Sequence, residues 1–379
     1  MKTIISFIVL WILAAAPLVL NAQEASLKAA FKHDFLIGVA INQSEFEGDQ
    51  TSRSVEIIKQ QFSAITPENA LKWMYIEPSP GHFDFSDTDQ YVAFGQKNHM
   101  FIIGHNLVWH SQVPIDVFEN DDGSWVSRDE LIARLHRHIA TVVGRYKGKI
   151  SGWDVVNEAL NDDGTLRNSR WRQIIGDDYL VLAYQFAHEA DPKAQLYYND
   201  YSLDNAPKRA GAIKLIQNLQ AHGIKVYGVG LQEHDRMDWP TTNQLDDTIN
   251  DFAKIGVKVM VTEMDIDVLP RSQRSYSADV SMRADSSPAL NPYTNGLPAD
   301  VQQKLAQRYA DLFAVLIAHR GEVARVTLWG VNDGDSWLNN WPVPGRTSYP
   351  LLYDRNGEPK PAYYAVLKTA EPANNLTKN

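Results

Sequence analysis

Two stretches of this chain place a carboxylate at the end of an apolar run. In Trp153-Asp154-Val155-Val156-Asn157-Glu158 a strand-like segment ends in an amide and an acid, and Val257-Lys258-Val259-Met260-Val261-Thr262-Glu263-Met264-Asp265 repeats the pattern with Glu263. A carboxylate at the edge of a core must find partners or shift its pKa. By itself Glu158 could equally cap a following helix or form an ordinary ion pair. Two strands far apart in sequence, each delivering a Glu at the same end, are what acid-catalysed cleavage between sugars requires. That chemistry needs one carboxyl protonated and the other charged at the same pH.

Other residues able to bind or polarise a ligand also fall at the ends of apolar runs. They are Glu68 and Asn69, His105, Trp109 and His110, Asn199 to Tyr201, Gln232 and His234, Asp265, and Trp329 with Trp337. Indoles stack on the apolar faces of sugar rings, while amides and carboxylates satisfy hydroxyls. A lone His or Trp at a strand end is more often core or cap, so it is the coincidence across many strands that points to a site.

Eight apolar runs position these residues: Phe35–Ile41, Phe62–Thr66, Met100–Gly104, Ile150–Val156, Gln195–Tyr198, Val226–Leu231, Val257–Thr262 and Ala324–Trp329. They read as strands. Amphipathic segments that suit helices lie between and after them, around 55–61, 90–98, 128–146, 178–190, 207–221, 245–255, 301–319 and 362–370. In the clearest of these, Leu305, Tyr309, Leu312, Phe313 and Leu316 recur at helical spacing. Eight strands alternating with eight helices predict a single α/β domain, a (β/α)8 TIM barrel with a parallel eight-stranded core, whose strand ends converge on one face. An open doubly wound sheet is the other arrangement that alternation allows. No Gly-rich phosphate turn follows the first run, however, and the polar residues gather after nearly every strand, not at one crevice.

Composition narrows the function. The chain has 379 residues, 44% hydrophobic and 22% charged, enough for a large core, and its formal charge of −10 argues against nucleic acid or an anionic membrane as partner. Residues 1–22 read as an export signal, with Lys2 before the apolar run Ile4–Leu20 and small residues at its exit; a membrane anchor is the competing reading. The expected division is signal 1–22, catalytic domain 23–370 opening on a short helical lead at Ala25–Lys32, and polar tail 371–379. Cysteine is absent, which excludes disulfides and thiolate chemistry. No helix carries paired His at ligand spacing, so neither metal nor cofactor is expected. The Asp-Asp-Gly turns at 121–123 and 162–164 lack a full calcium-ligand series. The long segment Arg271–Pro298, rich in Ser, Pro and Asn, reads as a loop on the active face.

The ordered set of motifs resembles glycoside hydrolase family 10, the endo-β-1,4-xylanase family, from about Ala25 to Ala370. The matching stretches are Thr66-Pro67-Glu68-Asn69 with Lys72-Trp73, Gly104-His105 with Leu107-Val108-Trp109-His110, Trp153 to Glu158, Asn199-Asp200-Tyr201, Gln232 with His234, Val261-Thr262-Glu263 with Asp265, and Trp329-Gly330-Val331 with Asp335-Ser336-Trp337. The resemblance implies that Glu158 is the general acid/base and Glu263 the nucleophile. It implies that Asn157 bonds the 2-hydroxyl of the sugar being cleaved, that His234 orients Glu263, and that Gln232 supports Glu158. Lys72, His105, Trp109, Trp329 and Trp337 would line the sugar pocket, Glu68 and Asn69 would serve the next unit, and Tyr201 would be an aromatic platform on the leaving-group side. The expected partner is xylan or its oligosaccharides, acted on by a monomer. A retaining double displacement follows, with the carboxyls about 5–5.5 Å apart; a gap of about 7 Å or more would mean inversion. Glu233 stands where many relatives carry a small or uncharged residue, and an extra carboxylate near the leaving-group side is the expectation there. A non-catalytic sugar binder, a metal hydrolase and a related glucanase are the rival readings.

Overall fold

The computed structural model describes residues 26–271, 283–284 and 286–370; the export-signal reading of 1–22 and the tail 371–379 lie outside them. The helical lead is a single turn, Leu27–Ala30. Nine strands follow: β1 Leu36–Ile41, β2 Ala64–Pro67, β3 Phe101–Trp109, β4 Gly152–Asn157, β5 Gln195–Asp200, β6 Gly228–Leu231, β7 His234–Arg236, β8 Lys258–Asp267 and β9 Val323–Leu328. Hydrogen bonding runs in parallel from β1 to β6, passes to β8 and β9, and returns to β1, closing an eight-stranded barrel. The short β7 lies alongside the outer end of β8, with His234 opposite Asp265.

All eight expected helices form, including Arg53–Gln61, Arg128–Arg145, Thr242–Lys254 and Ala299–Ala318. Side chains of Ser52, Ser127 and Thr241 accept from backbone N–H groups in the first turns of the first three. Such caps satisfy donors that a helix start otherwise leaves free. Each helix lays its apolar stripe on the sheet, as Leu135, Ile139 and Val142 do, and these faces join in one continuous apolar layer. Inside the barrel a smaller cluster of Ile103, Tyr197 and Met260 fills the interior, with the Arg325 guanidinium 5.4 Å from the Tyr197 ring centroid.

β3 and β8 run past the polar residues at which the sequence pattern suggested they would stop. Both keep pairing across register shifts, between His105 and Val108 on β3 and between Val261 and Met264 on β8. A third shift, between Asp154 and Val156, precedes Asn157 and Glu158 on β4. Irregularities of this kind re-aim side chains at a barrel rim, and these three flank the two expected catalytic carboxyls. Four-residue helices at Gln43–Phe46 and Trp73–Ile76 and a six-residue helix at Arg170–Ile175 were not foreseen; all lie on strand-to-helix connections.

Candidate active site

The strand ends converge on a cavity of about 310 Å³. Of the thirteen site residues expected from sequence, twelve line it: Glu68, Asn69, Lys72, His105, Trp109, Asn157, Glu158, Gln232, His234, Glu263, Trp329 and Trp337. Glu158 and Glu263 therefore open onto one cavity.

Glu158 follows β4 with φ +55°, a left-handed conformation that costs energy for a side chain bearing Cβ and so signals a position held by its surroundings. Its carboxylate accepts from the Trp109 indole Nε1 at 2.8 Å, Gln232 Nε2 at 3.0 Å and Asn157 Nδ2 at 3.4 Å. Burial lifts its pKa; the Gln232 and Trp109 donors pull it down, the charge of Glu263 pushes it up, and the net shift is upward. Glu263 accepts from Asn199 Nδ2 at 2.8 Å and stands 3.2 Å from His234 Nε2. Burial also works to lift this carboxyl, but the bond and charge of His234, with His105 and Asn199, outweigh it and hold the pKa below the ordinary value. The same environment thus shifts the two acids in opposite directions.

Supporting contacts fix this difference. His234 lies between Glu263 and Asp265, its Nδ1 3.2 Å from Asp265 Oδ2. Burial disfavours the imidazolium, yet the two carboxylates push its pKa up to about 10. Asp265 in turn accepts from Trp337 Nε1 at 2.7 Å. Asn199 Nδ2 also donates to Asn157 Oδ1 at 2.8 Å, so amides link the two acids, and Thr262 Oγ1 donates to Asn199 Oδ1 at 2.6 Å. A Cβ at position 230 would sit 2.2 Å from Asn199 Oδ1, which explains the glycine there. His105 Nδ1 lies 2.9 Å from Asp154 Oδ2, and Lys72 Nζ donates to Asn69 Oδ1 at 3.0 Å while lying 5.4 Å from the Trp109 ring centroid. Trp329 and Trp337 form an aromatic wall, and Trp341 stacks on Trp337 at 4.5 Å.

Two residues expected near the leaving-group side stand outside this cavity. Tyr201 is only 2% exposed and does not line it. The Lys208 ammonium covers the ring at 3.3 Å from its centroid, and Arg167 Nη2 donates to its hydroxyl at 2.9 Å. Glu233 does not reach the cavity either. Its carboxyl is buried beside Asp204 and Asp235, and burial together with those two charges raises its pKa well above the usual range. Conversely, Gln112, Arg283, Asn340 and Trp341 line the cavity without having been singled out. Trp341 follows Trp337 by four residues in an aromatic-rich loop, a cue that could have drawn attention to it; Gln112 and Asn340 offered none. Arg283 is the described residue of the 271–298 segment that lines the cavity; residues 272–282 and 285 of that segment lie outside the described residues. Among the described residues, no group of three or more His, Asp or Glu could hold a metal ion, and no helix is long and apolar enough to cross a membrane.

Known proteins share this arrangement at large. Endo-1,4-beta-xylanase A of Xylanibacter ruminicola is 41% identical over 356 residues, covering 94% of this chain and 96% of the relative. The solved structure of a GH10 endoxylanase retrieved from a sugarcane soil metagenome superposes with TM-score 0.88 at 45% identity, covering 90% of this chain and 99% of that one. A mutant protein solved in complex with xylotriose superposes with TM-score 0.80 at 33% identity, covering 90% and 99%. The profile of glycosyl hydrolase family 10 matches residues 26–369, and the chain belongs to that family.

Proposed function

We propose that this protein is an endo-1,4-β-xylanase that cleaves internal bonds of xylan with retention of configuration, Glu158 acting as acid/base and Glu263 as nucleophile. The observation that carries the reading is the opposite protonation bias of two carboxyls in one cavity. In the first step Glu263 bonds to the anomeric carbon while Glu158 gives its proton to the departing glycosidic oxygen. In the second, Glu158 takes a proton from water, the water oxygen bonds to the anomeric carbon, and the ester to Glu263 breaks. In this reading Asn157 bonds the 2-hydroxyl and His234 holds Glu263 charged and oriented. The names of the relatives support the substrate, as does the xylotriose bound by a structural neighbour.

In this reading residues 1–22 direct export, 23–370 form the catalytic domain, 371–379 are a polar tail, and the enzyme works as a monomer. Product analysis on xylan, arabinoxylan and carboxymethylcellulose, with anomers followed by NMR, tests it. Xylo-oligosaccharides should appear first as β anomers, with little product from the cellulose derivative; α anomers first would overturn the mechanism. Glu158→Gln and Glu263→Gln should each lose at least about 10²–10⁴-fold in kcat on xylan. A sugar binder that merely retained the fold would lose neither its affinity nor a turnover it never had. A 2-fluoro xylobioside should label Glu263, and labelling elsewhere would overturn the assignment.

A further inference from the structure

Beside Trp341 two arginines converge on one acid. Asp267, the last residue of β8, accepts from Arg271 Nε at 3.0 Å and from Arg346 Nη2, whose distances to its two oxygens are 3.2 and 3.3 Å. Arg271 lies just past the strand end, and Arg346 reaches in from the segment that joins β9 to the last helix, Pro361–Thr369. The side chains of Arg271, Asp267 and Arg346 are 4%, 0% and 1% exposed. The Arg271 guanidinium also packs on Trp341, 5.1 Å from the ring centroid, and Trp341 lines the active cavity.

The charges in this cluster do not balance. Two guanidiniums share one carboxylate, and Asp265, two residues earlier on β8, is engaged by His234 and Trp337. The hydrogen bonding does not close either. Among the described residues no acceptor meets Arg271 Nη2, Arg346 Nε, Arg346 Nη1 or the Trp341 indole N–H, all of them buried. Buried charged donors left unpaired are costly, because they have given up water for nothing in return. Burial and the Arg271 charge push the Arg346 pKa below its ordinary value, although Asp267 works against them. A guanidinium keeps its proton all the same, so the cluster cannot shed its excess charge by titrating. What completes it chemically is an anion that only accepts hydrogen bonds and is compact enough for a place nearly closed to solvent. Chloride meets both demands. A carboxylate borne on a sugar has the charge but not the size, and water is neutral and brings donors of its own.

We propose that a chloride-sized monovalent anion binds between Arg271 and Arg346, accepts N–H groups that Asp267 leaves over, and so fixes Arg271 against Trp341 at the edge of the cavity. Nothing in this site depends on the reaction at Glu158 and Glu263, so binding is read without activity. In sodium gluconate buffer, exchanging gluconate for chloride at constant ionic strength should raise the melting temperature by about 2–5 °C at a hundredfold excess over Kd. Glucuronate added in place of chloride should give no such rise. Crystals soaked in sodium bromide should show an anomalous peak between the two guanidiniums. Arg346→Met leaves Arg271 balanced against Asp267, and Arg271→Gln does the same for Arg346; each should abolish both the chloride response and the bromide peak. If one variant fails to fold, the other and the wild-type crystal decide. A melting temperature indifferent to chloride, a rise with glucuronate equal to that with chloride, no bromide peak between the guanidiniums, or a chloride response that survives either substitution would overturn the site.

Discussion

Replacing Trp109 with Phe should make the enzyme work at higher pH while lowering its peak rate. The Trp109 indole N–H donates to Glu158 Oε2 at 2.8 Å, and such a donor stabilises the carboxylate against the protonated acid. A hydrogen bond to a charged group contributes about 1.5–3 kcal/mol, and one pH unit corresponds to about 1.4 kcal/mol, so its loss should raise the Glu158 pKa by about 1–2 units. Gln232, at 3.0 Å, and Asn157, at 3.4 Å, still hold the carboxyl, and Phe keeps an aromatic face under Lys72.

The alkaline limb of kcat/KM reports the group that must hold a proton, here Glu158, so that limb should move up by about 1–2 pH units. The acid limb belongs to Glu263, whose partners His234 and Asn199 are untouched, and should stay in place. A weaker acid donates its proton less readily, and the maximum should fall about three- to tenfold. The assay is kcat/KM from about pH 4 to 10 on an aryl β-xylobioside with a poor leaving group, so that proton donation limits the rate. If the alkaline limb stays put or moves down while the protein remains folded, Trp109 does not tune the acid and the role given to Glu158 is wrong.

Stability should also fall as pH rises. Burial, with repulsion from Asp204 and Asp265 that Arg308 offsets only in part, lifts Asp235 from an ordinary 3.8 to about 8. A folded pKa above the unfolded one gives stability that is full below the unfolded pKa and is lost as pH climbs through the folded value. His234, raised to about 10, acts in the same direction at higher pH. The melting temperature should therefore drop between about pH 5 and pH 9, and Asp235→Asn should flatten the drop; an unchanged slope would remove Asp235 from the account. Lys208→Met leaves Asp200, 3.0 Å from the ammonium and fully buried, without its cation, and should cost about 3–5 kcal/mol in urea unfolding; Asp200→Asn in the same chain should recover much of the loss. Tyr201→Phe should leave KM for xylan within about twofold and cost about 1 kcal/mol of stability, since its hydroxyl bonds Arg167 and Phe keeps the ring.

Much of the barrel could be read from sequence because buried parallel strands show as apolar runs and the residues that follow them converge at one end. Glu158 and Glu263 were legible for that reason. The ends of β3 and β8 were not, because a run was taken to stop at its first polar residue. His105, Thr262 and Glu263 stay within their strands because Asp154, Asn199 and His234 meet them inside the barrel mouth, and those partners come from other strands. Tyr201 shows the limit most clearly. How an aromatic at a strand end packs depends on partners that no local pattern announces: a lysine seven residues further on, paired with Asp200, sets its ammonium over the Tyr201 ring. Glu233 turned inward in the same way, toward Asp204 and Asp235.

The protonation bias arises from what lies on each side of the cavity. The hydrogen-bond donors within 3.4 Å of Glu158 are a neutral indole and two amides, and the imidazole of His110 stands off at 4.0 Å. Glu263 instead faces His234, whose positive charge is held in place by Asp265. In a buried site a cation at bonding distance outweighs desolvation where neutral dipoles do not, so the shared environment shifts Glu158 up and Glu263 down. The amides of Asn157 and Asn199 then fix the spacing of the two acids without adding charge that would blur the difference. Reversing the roles would require moving the imidazolium from the β7 and β8 side to the β3 and β4 side, not merely exchanging one carboxyl for another.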